Sequence, residues 1–339
     1  MLAELSNLYG VSGNETAVRK YLEEKTSGKG LDCYSDTMGN FFVRKGQANS
    51  TRKVMLSAHI DEIGLMVTAV EKGGLLKFKP VGGIDSRILV AKRVVIGSQT
   101  LPGVIGAKPI HLQKEGEQKK PFEEDSLFID AGFKSRDEAE KFVSPGDFVA
   151  FDSRFTVLGK GYCRGKAFDN RAGCSILLEL LLEDNGLAFD AAFTVQEEVG
   201  TRGAFVAAFR LKPQVALVIE TTTAADTPET EIEATVTALG SGPAISFMDR
   251  SIMVSKGLRE QLVEAAKAAG VPYQFRRFTG AATDGGVISL TREGVKTGIV
   301  AVPCRYIHSP HSVLRESDLE ATKTLVRSWL RLQGKKGKE

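Results

Sequence analysis

The stretch Lys53-Val-Met-Leu-Ser-Ala-His-Ile-Asp-Glu62 decides how the fold is interpreted. Its first eight residues, 53–60, form a short apolar run of the kind found in a strand that is buried on both faces. The end of this run carries His59, and Asp61 and Glu62 follow it. In open α/β sheets, ligands bind just beyond the carboxyl ends of the strands. The stretch therefore predicts a buried strand that delivers polar side chains to a functional edge of a sheet.

Around this strand the chain has an α/β pattern. An amphipathic helix is predicted for 16–24, after Asn14 as a possible N-cap. From Gly165 onward, apolar strands alternate with helices, which predicts a mostly parallel sheet with helices on both faces. The predicted strands are 191–196, 215–220, 232–239, 273–278 and 297–302. The predicted helices are 171–182, 204–209, 252–269, 285–292 and 318–332.

The middle of the chain, 66–162, has a different pattern. Helical periodicity nearly vanishes there, apart from a weak helical turn at 135–142, and short β-rich runs are separated by Gly-Gly and Pro-Gly turn signals. This pattern predicts an all-β, barrel-like domain inserted into the α/β domain. The expected division is therefore 1–65 and 163–339 for the α/β domain and 66–162 for the insertion.

Composition places the chain among globular proteins. Of its 339 residues, 42% are hydrophobic and 26% charged, and the net charge of +3 gives no electrostatic footprint for nucleic acid. The first residues have a helical pattern and no basic region followed by a long apolar stretch, so we expect neither a signal peptide nor a membrane anchor. Four cysteines without CxxC spacing fit reduced thiols better than a disulfide framework. We therefore expect a cytoplasmic protein with no membrane or nucleic-acid partner.

Several predicted strands end in histidine or carboxylate side chains, which should gather at one edge of the sheet. A further carboxylate lies in a polar loop before the helix at 171–182. These candidate residues are His59, Asp169, Glu197, Glu198, Glu220 and His308.

Imidazole nitrogen and carboxylate oxygen are the ligands that catalytic zinc prefers. Asp169 is placed to bridge two ions, because two-metal hydrolytic sites hold their metals roughly 3.5–4 Å apart. His59 with Glu220, and Glu198 with His308, would then complete the two ligand sets. The sequence thus predicts a site for two divalent metals, zinc or cobalt.

Adjacent residues that leave a strand point in different directions, so Glu197 and Glu198 should differ in role. If Glu198 ligates a metal, Glu197 is free to act as the general base that accepts a proton from the attacking water. Asp61, two residues after His59, is placed to hold that imidazole in one tautomer.

Each of these residues also has a simple structural interpretation. Asp169 alone would be taken as a helix N-cap, Glu220 as the end of a strand, and Glu197 with Glu198 as a solvated turn. The metal site is favoured because several features occur together. The chain has only four histidines, and two of them lie beside carboxylates at predicted strand ends. His111 and His311 are interpreted as structural or surface residues.

Other catalytic patterns are absent from the sequence. There is no GxSxG nucleophile elbow, no GxxxxGK[ST] phosphate loop and no GxGxxG fingerprint after a strand. HExxH is also absent, which excludes that class of zinc protease. Cys304 near His308 is best interpreted as a small buried hydrophobe.

With these residues in place, the chain resembles the tetrahedral (TET) aminopeptidases, a family that includes bacterial glutamyl aminopeptidases. The resemblance runs nearly end to end, with several motifs in the same order and spacing. These motifs are GVSGNE at 10–15, AHIDE at 58–62, AFDNR at 167–171, VQEEVG at 195–200, AADTP at 224–228, TDGG at 283–286 and RYIHS at 305–309.

The resemblance implies a dinuclear aminopeptidase that removes N-terminal residues from peptides with a free amino terminus. It implies Glu197 as the base, segment 66–162 as a dimerisation domain, and dimers that assemble into a hollow dodecamer. It also implies the metal ligands His59, Asp169, Glu198, Glu220 and His308. One departure is Glu220, where the family more often has aspartate.

Two alternative functions stay open. One is a deacylase or amidohydrolase that uses the same metal pair, and the other is a self-assembling scaffold without activity. Arg250, Arg276 and Arg277 are candidates for recognising acidic residues, but the sequence favours ordinary surface salt bridges for them.

Overall fold

The computed structural model describes residues 1–46, 53–228, 230–231, 236–277 and 280–336. The α-helices within these ranges are α1 (Leu2–Asn7), α2 (Thr16–Thr26), α3 (Arg136–Ala139), α4 (Phe168–Leu182), α5 (Arg202–Leu211), α6 (Lys256–Ala269), α7 (Asp284–Ser289) and α8 (Glu316–Lys336). Short 3-10 turns lie at 86–88, 110–112, 117–119 and 124–126.

The strands fall into two separate sheets. The larger sheet contains β1 (Asp32–Ser35), β2 (Phe41–Lys45), β3 (Val54–His59), β10 (Thr156–Leu158), β11 (Tyr162–Gly165), β12 (Phe189–Thr194), β13 (Val215–Thr223), β14 (Ala244–Ser246), β15 (Gln274–Arg276), β16 (Lys296–Arg305) and β17 (Ser312–Arg315). The barrel contains β4 (Gly64–Val70), β5 (Leu76–Val81), β6 (Arg93–Ile96), β7 (Leu101–Gly106), β8 (Phe128–Asp130) and β9 (Phe148–Phe151).

The large sheet is mixed, with its parallel part at the centre. Its order is β1-β2-β12-β3-β13-β16-β17-β11-β10, with β14 and β15 joined beside β16. The central strands β12, β3, β13 and β16 pair in parallel, and antiparallel strands flank them on both sides. The predicted α/β sheet is therefore present, and its parallel pairing is concentrated where apolar runs are longest.

Alternating residues of the central strands pack into cores on opposite faces of the sheet. On β3, Leu56 and Ala58 face the core formed with α1, α2, α4, α6 and α8, whereas Met55 faces the core formed with α5 and α7. Both sides of the strands are thus apolar, which explains why 53–60 is a continuous hydrophobic run. The predicted layers of helices on both faces are confirmed.

The insertion forms a closed barrel with its own core. Its strands pair in the cyclic order β4-β5-β8-β7-β6-β9, and β9 pairs with β4 to close it. Buried side chains such as Leu65, Ile96 and Ile129 fill the interior. The barrel strands run from Gly64 to Phe151, and the following hairpin of β10 and β11 belongs to the large sheet. The predicted barrel-like insertion is confirmed.

Some predicted elements differ from the structure. The helix predicted to begin at Ile252 begins at Lys256, after a short bridge that pairs Met248 with Met253. Of the strand predicted for 232–239, residues 232–235 lie outside the described residues, and 236–238 are not in a strand. Phe278, at the end of another predicted strand, also lies outside them.

None of the helices in the described ranges is long and apolar enough to cross a membrane. The cysteines are unpaired: Cys33 is exposed, while Cys163, Cys174 and Cys304 are buried. Burial raises the pKa of the Cys304 thiol, so it is a weak nucleophile. This agrees with its interpretation as a small buried hydrophobe.

Candidate metal centre

The central parallel strands bring the predicted site residues to one edge of the sheet. His59 is the last residue of β3, and Glu197 and Glu198 follow the end of β12. His308 follows β16 on the other side of β13. Glu220 lies within β13 rather than at its end, because the strand continues to Thr223. Since neighbouring parallel strands end at the same edge, these side chains line one cavity of about 730 Å³.

Asp169 lies between the two histidines. Its Oδ1 is 3.2 Å from His59 Nε2, and its Oδ2 is 3.3 Å from His308 Nε2. The residue belongs to the first turn of α4 but has non-helical backbone angles, and the side-chain cap bond at this helix start is made by its neighbour Asn170, whose Oδ1 accepts from the Gly173 N–H at 3.0 Å. The N-cap interpretation is therefore wrong for Asp169, whose carboxylate faces the imidazoles.

Each oxygen of Asp169 belongs to a different cluster of ligand atoms. One cluster is His59, Asp169 and Glu220, with His59 Nε2 3.8 Å from Glu220 Oε2. The other is Asp169, Glu198 and His308, with His308 Nε2 3.3 Å from Glu198 Oε2. Within each cluster, the ligand atoms all lie within 4.8 Å of one another. The structure thus forms two three-residue groups that share one carboxylate.

Asp61 organises this edge through hydrogen bonds to main-chain groups. Its Oδ1 accepts from the N–H of Glu197 at 3.0 Å, and its Oδ2 accepts from the N–H of Glu198 at 3.1 Å. The Ser12 hydroxyl donates to Oδ2 at 2.6 Å. His59 Nδ1 lies 3.2 Å from the Asp61 carbonyl oxygen, so we assign the ring hydrogen to Nδ1. That assignment leaves Nε2 free to face Asp169.

His308 is oriented by the inserted domain. Its Nδ1 lies 2.9 Å from the carbonyl oxygen of Gly83, which follows the barrel strand β5. As with His59, a main-chain acceptor on Nδ1 leaves Nε2 directed at the carboxylates. Both histidines are therefore held in the orientation that a metal ligand needs, one by the α/β domain and the other by the loop at the barrel.

Burial and mutual proximity shift the pKa values of these groups. Burial raises the pKa of Glu198 to about 8 and that of Glu197 well above its ordinary value. Burial also raises the pKa of Glu220. Burial lowers the pKa of His308, but its hydrogen bond with Asp169 and the negative charges of Glu198 and Asp169 together outweigh burial and raise the pKa to about 9. Without an added cation, this cluster therefore holds several protons at neutral pH.

Two buried oxygens indicate that the site fits a cation. Glu198 Oε1 and Glu220 Oε1 have no hydrogen-bond partner among the described residues. Leaving a buried carboxylate oxygen without a partner costs about 1–3 kcal/mol or more. A divalent ion at each cluster would satisfy both oxygens, and the nitrogen and oxygen donors are those that zinc or cobalt accepts.

Three residues near the site had no role in the sequence analysis. Ser12 binds Asp61 as described, and Gly83 supplies a carbonyl that sequence patterns cannot show. Asp284 is buried and accepts from the Thr194 hydroxyl at 2.6 Å, and burial raises its pKa to about 6. Ser12 lies in the stretch 10–15 and Asp284 in the stretch 283–286, and both stretches resemble family motifs. That resemblance is the sequence feature from which both residues could have been found.

The arginines of this region also differ from the expectation of surface salt bridges. Arg276 is 4% exposed, so it is not a surface residue. Arg250 and Arg277 are exposed, and Arg250 lines the cavity of the two ligand clusters together with Arg276. The surface interpretation is therefore wrong for Arg276, because β15 carries it inward.

A family model and individual proteins match this chain. The model for M42 glutamyl aminopeptidases matches residues 39–325. The lysyl aminopeptidase of Pyrococcus furiosus is 32% identical, over 95% of this chain and 93% of its own.

Solved structures agree with these sequence matches. A TET aminopeptidase from a marine sediment archaeon of the Thaumarchaeota is 33% identical, with a TM-score of 0.95 over 99% of this chain and 97% of its own. A TET peptidase of Pyrococcus horikoshii, which can assemble into a tetrahedron or a large octahedral shell, is 33% identical. Its TM-score is 0.86, over 96% of this chain and 97% of its own.

Proposed function

The chain belongs to the M42 glutamyl aminopeptidase family, and from that premise we propose that it removes N-terminal residues from peptides with the help of two divalent metals. Membership of this family makes the protein a peptide hydrolase. The observation that carries the two-metal proposal is the position of Asp169, whose two oxygens face different histidines.

His59 and Glu220 would hold one ion, Glu198 and His308 the other, and Asp169 would bridge them. The unpartnered oxygens of Glu198 and Glu220 support this assignment. When bound, such ions polarise the scissile carbonyl and lower the pKa of water from 15.7 to about 7. The donor set favours zinc or cobalt over magnesium, because imidazole suits the softer ions.

Glu197 is the proposed general base. It lines the same cavity, and Asp61 fixes its main-chain N–H. It belongs to neither ligand cluster, so its carboxylate is available to accept a proton from the attacking water. The same carboxyl group then returns the proton to the amide nitrogen that leaves. Asp61 acts by positioning, since it binds both Glu197 and Glu198 through their backbone.

Exopeptidase action is consistent with the negative charge of the cavity around the two ligand clusters. A free α-ammonium group is attracted by the carboxylates that surround the clusters, whereas an acetylated terminus carries no charge. We therefore propose that a free N-terminus is required. A deacylase would show the opposite preference, because its substrates are acylated.

The test uses short peptides with free and acetylated N-termini, incubated before and after chelation and after readdition of zinc or cobalt. We expect cleavage of the free-amine peptides alone, loss of activity on chelation, and recovery with metal. Preference for acetylated substrates would favour a deacylase. No cleavage with any metal would favour an inactive scaffold.

Assembly and location are further parts of the proposal. The similar Pyrococcus horikoshii peptidase forms shells, and we propose that segment 66–162 mediates dimerisation here and that dimers build a dodecamer. The unpaired cysteines support a reducing compartment, for which we propose the cytoplasm.

A further inference from the structure

The loop that carries Glu197 and Glu198 has a closed neck at its base. This loop, residues 195–203, runs from the end of β12 into the first turn of α5. At the neck, the N–H of Gly203 donates to the carbonyl oxygen of Val195 at 3.0 Å. A Cβ atom on Gly203 would lie 2.4 Å from that oxygen, so only glycine allows this approach. The two ends of the loop are therefore in direct contact.

Asn40 binds both ends of this neck through its side-chain amide. Its Oδ1 accepts from the N–H of Val195 at 3.0 Å, and its Nδ2 donates to the carbonyl oxygen of Gly203 at 3.1 Å. Nδ2 also donates to Asp36 Oδ2 at 2.8 Å. One N–H partner and two oxygen partners fix the orientation of the amide. Asn40 is fully buried, and its oxygen and both of its donor hydrogens have protein partners.

A hydrogen-bonded turn holds Asn40 in place. Asp36 Oδ1 accepts from the N–H groups of Met38, Gly39 and Asn40, each at 3.0 Å. The N–H of Asp36 donates to the carbonyl oxygen of Asn40 at 3.1 Å. β2 begins directly after Asn40 and pairs with β12, the strand that leads into the loop. The amide is therefore fixed to the sheet by segments outside the loop that it binds.

The loop needs such support because part of its backbone is strained. Gln196 and Thr201 have φ angles of 55° and 53°, in the left-handed region that disfavours residues with a side chain. Conformations of this kind persist only where the surrounding structure imposes them. Asp61 holds the two glutamates through their N–H groups, whereas Asn40 holds the ends of the loop. The loop thus has two separate anchors.

We propose that Asn40 is a positioning residue. By closing the neck of the loop 195–203, it sets where the carboxyl groups of Glu197 and Glu198 lie relative to the rest of the site. The inference rests on the proposed function, in which Glu197 is the base and Glu198 a metal ligand. Asn40 acts through the loop backbone, without contact with substrate or metal. A residue that only stabilised the fold would change the free energy of unfolding and leave the site of the folded protein intact.

The test compares Asn40→Asp with Asn185→Asp. Asn40→Asp keeps the size and the acceptor of the side chain but puts an oxygen where Nδ2 donates to Gly203. Asn185 is the matched control at the end of α4, because its amide has the same three kinds of partner. It donates to a main-chain carbonyl and to a carboxylate, and it accepts from a main-chain N–H. Asn40→Ala removes donor and acceptor without adding a charge, so it replaces Asn40→Asp if that variant fails to fold.

Three measurements on folded, full-length protein separate positioning from stability. Hydrogen exchange of the zinc-saturated protein, measured by mass spectrometry, should be faster at 195–203 in both Asn40 variants and unchanged there in Asn185→Asp. Zinc affinity, measured by competition with a chromogenic chelator, should fall by about 10- to 100-fold, because the loop carries Glu198. At saturating zinc and peptide, kcat should fall by about 10- to 100-fold. KM should change less, since Asn40 does not line the cavity of the two ligand clusters.

The outcomes also distinguish this inference from the proposed function. If the unsubstituted protein cuts no peptide, but the Asn40 variants bind zinc more weakly and exchange faster at 195–203, the aminopeptidase proposal fails while the positioning role stands. If the Asn40 variants match Asn185→Asp in exchange at 195–203, zinc affinity and kcat, and only the free energy of unfolding falls, the inference is overturned. Faster exchange of the loop with zinc affinity and kcat unchanged also overturns it.

Discussion

At the scale of single residues, Asp61 shows how one buried carboxylate fixes several groups of the proposed site. Its two oxygens accept from the N–H groups of Glu197 and Glu198 and from the Ser12 hydroxyl, and its carbonyl contacts His59. The adjacent glutamates are thus held by their backbone, so their carboxyl groups remain free to do different tasks. Only Glu198 of the two belongs to a ligand cluster.

The proposed role of Glu197 as a base gives the first prediction. Glu197→Gln removes the proton acceptor while keeping a similar size, so kcat should fall by about 10²–10⁴-fold. Metal content, measured by elemental analysis, should stay the same because Glu197 belongs to neither cluster. A loss of metal together with activity would show that Glu197 is a ligand instead.

Asp61 makes a different prediction, because it acts on the ligands rather than on the substrate. Asp61→Asn should weaken zinc affinity by about 10- to 100-fold, measured by competition with a chromogenic chelator. Asp190→Asn is the matched control, since Asp190 forms a partly buried ion pair with Arg44 and belongs to neither ligand cluster. Equal affinity in both variants would contradict a positioning role for Asp61.

The protonation of the cluster predicts pH-dependent metal binding. The metal-free site has raised pKa values at Glu198 (about 8) and His308 (about 9), and metal ligands must be deprotonated. Protons must therefore leave as an ion binds, and zinc affinity should increase from about pH 6 to about pH 8, by about tenfold per pH unit for each proton released. Calorimetry in buffers of different ionisation enthalpy counts these protons, and an affinity that is constant with pH would contradict the expectation.

At the scale of elements, the start of α4 is set by its close approach to β13. A Cβ atom on Gly173 would lie 2.4 Å from Asn170 Oδ1 and 2.5 Å from the Ile219 carbonyl oxygen. Only glycine leaves room for this contact, and the contact places Asp169 beside the strand that carries Glu220.

Alanine substitution tests this packing. Gly173→Ala should lower the free energy of unfolding by about 1–3 kcal/mol through overpacking. Gly257 on α6 has nothing within 4 Å of such a Cβ, so Gly257→Ala should be neutral or stabilising by up to about 1 kcal/mol. Chemical denaturation of both variants measures the difference, and similar values would refute the packing argument.

The sequence predicted the central elements because their signals are strong and local. The apolar run at 53–60 and the helix at 318–332 needed no knowledge of distant residues. The antiparallel edges, such as β10 and β11, were not foreseen. β11 pairs with β17, a segment about 150 residues away, and β10 joins the sheet only through β11. Short, partly exposed strands also carry a weak periodic signal.

The same limit applies to the site. Most of the histidines and carboxylates were recognisable by their residue type near the ends of predicted strands. The group that accepts from His308 Nδ1 is the main-chain carbonyl of Gly83. Because every residue has such a carbonyl, no sequence pattern identifies Gly83. Arg276 was assigned to the surface because burial depends on how β15 joins β14, at a part of the sheet that the strand pattern described poorly.

At the scale of the whole molecule, the barrel leaves apolar side chains at its surface. Among them are Val104, Ile110, Leu112 and Phe142, each more than 40% exposed. Apolar surface of this kind is typical of association sites.

We therefore expect the protein to sediment with at least twice the mass of one chain. Replacing each of these four residues in turn by glutamate should lower the mass in at least one variant. Phe205→Glu, at an exposed phenylalanine of α5, is the control that should leave barrel-mediated dimers intact. A single-chain mass for the unsubstituted protein would contradict the assembly proposal.

The contact between Gly83 and His308 has a consequence for how this architecture can be divided. An inserted domain is often regarded as a removable module, and a smaller catalyst would be sought by replacing the barrel with a short linker. Here the loop that follows a barrel strand supplies the carbonyl that orients a proposed metal ligand. A shortened chain would keep every candidate ligand in its sequence and still lose the support of one imidazole. The barrel and the large sheet therefore have to be engineered as one unit.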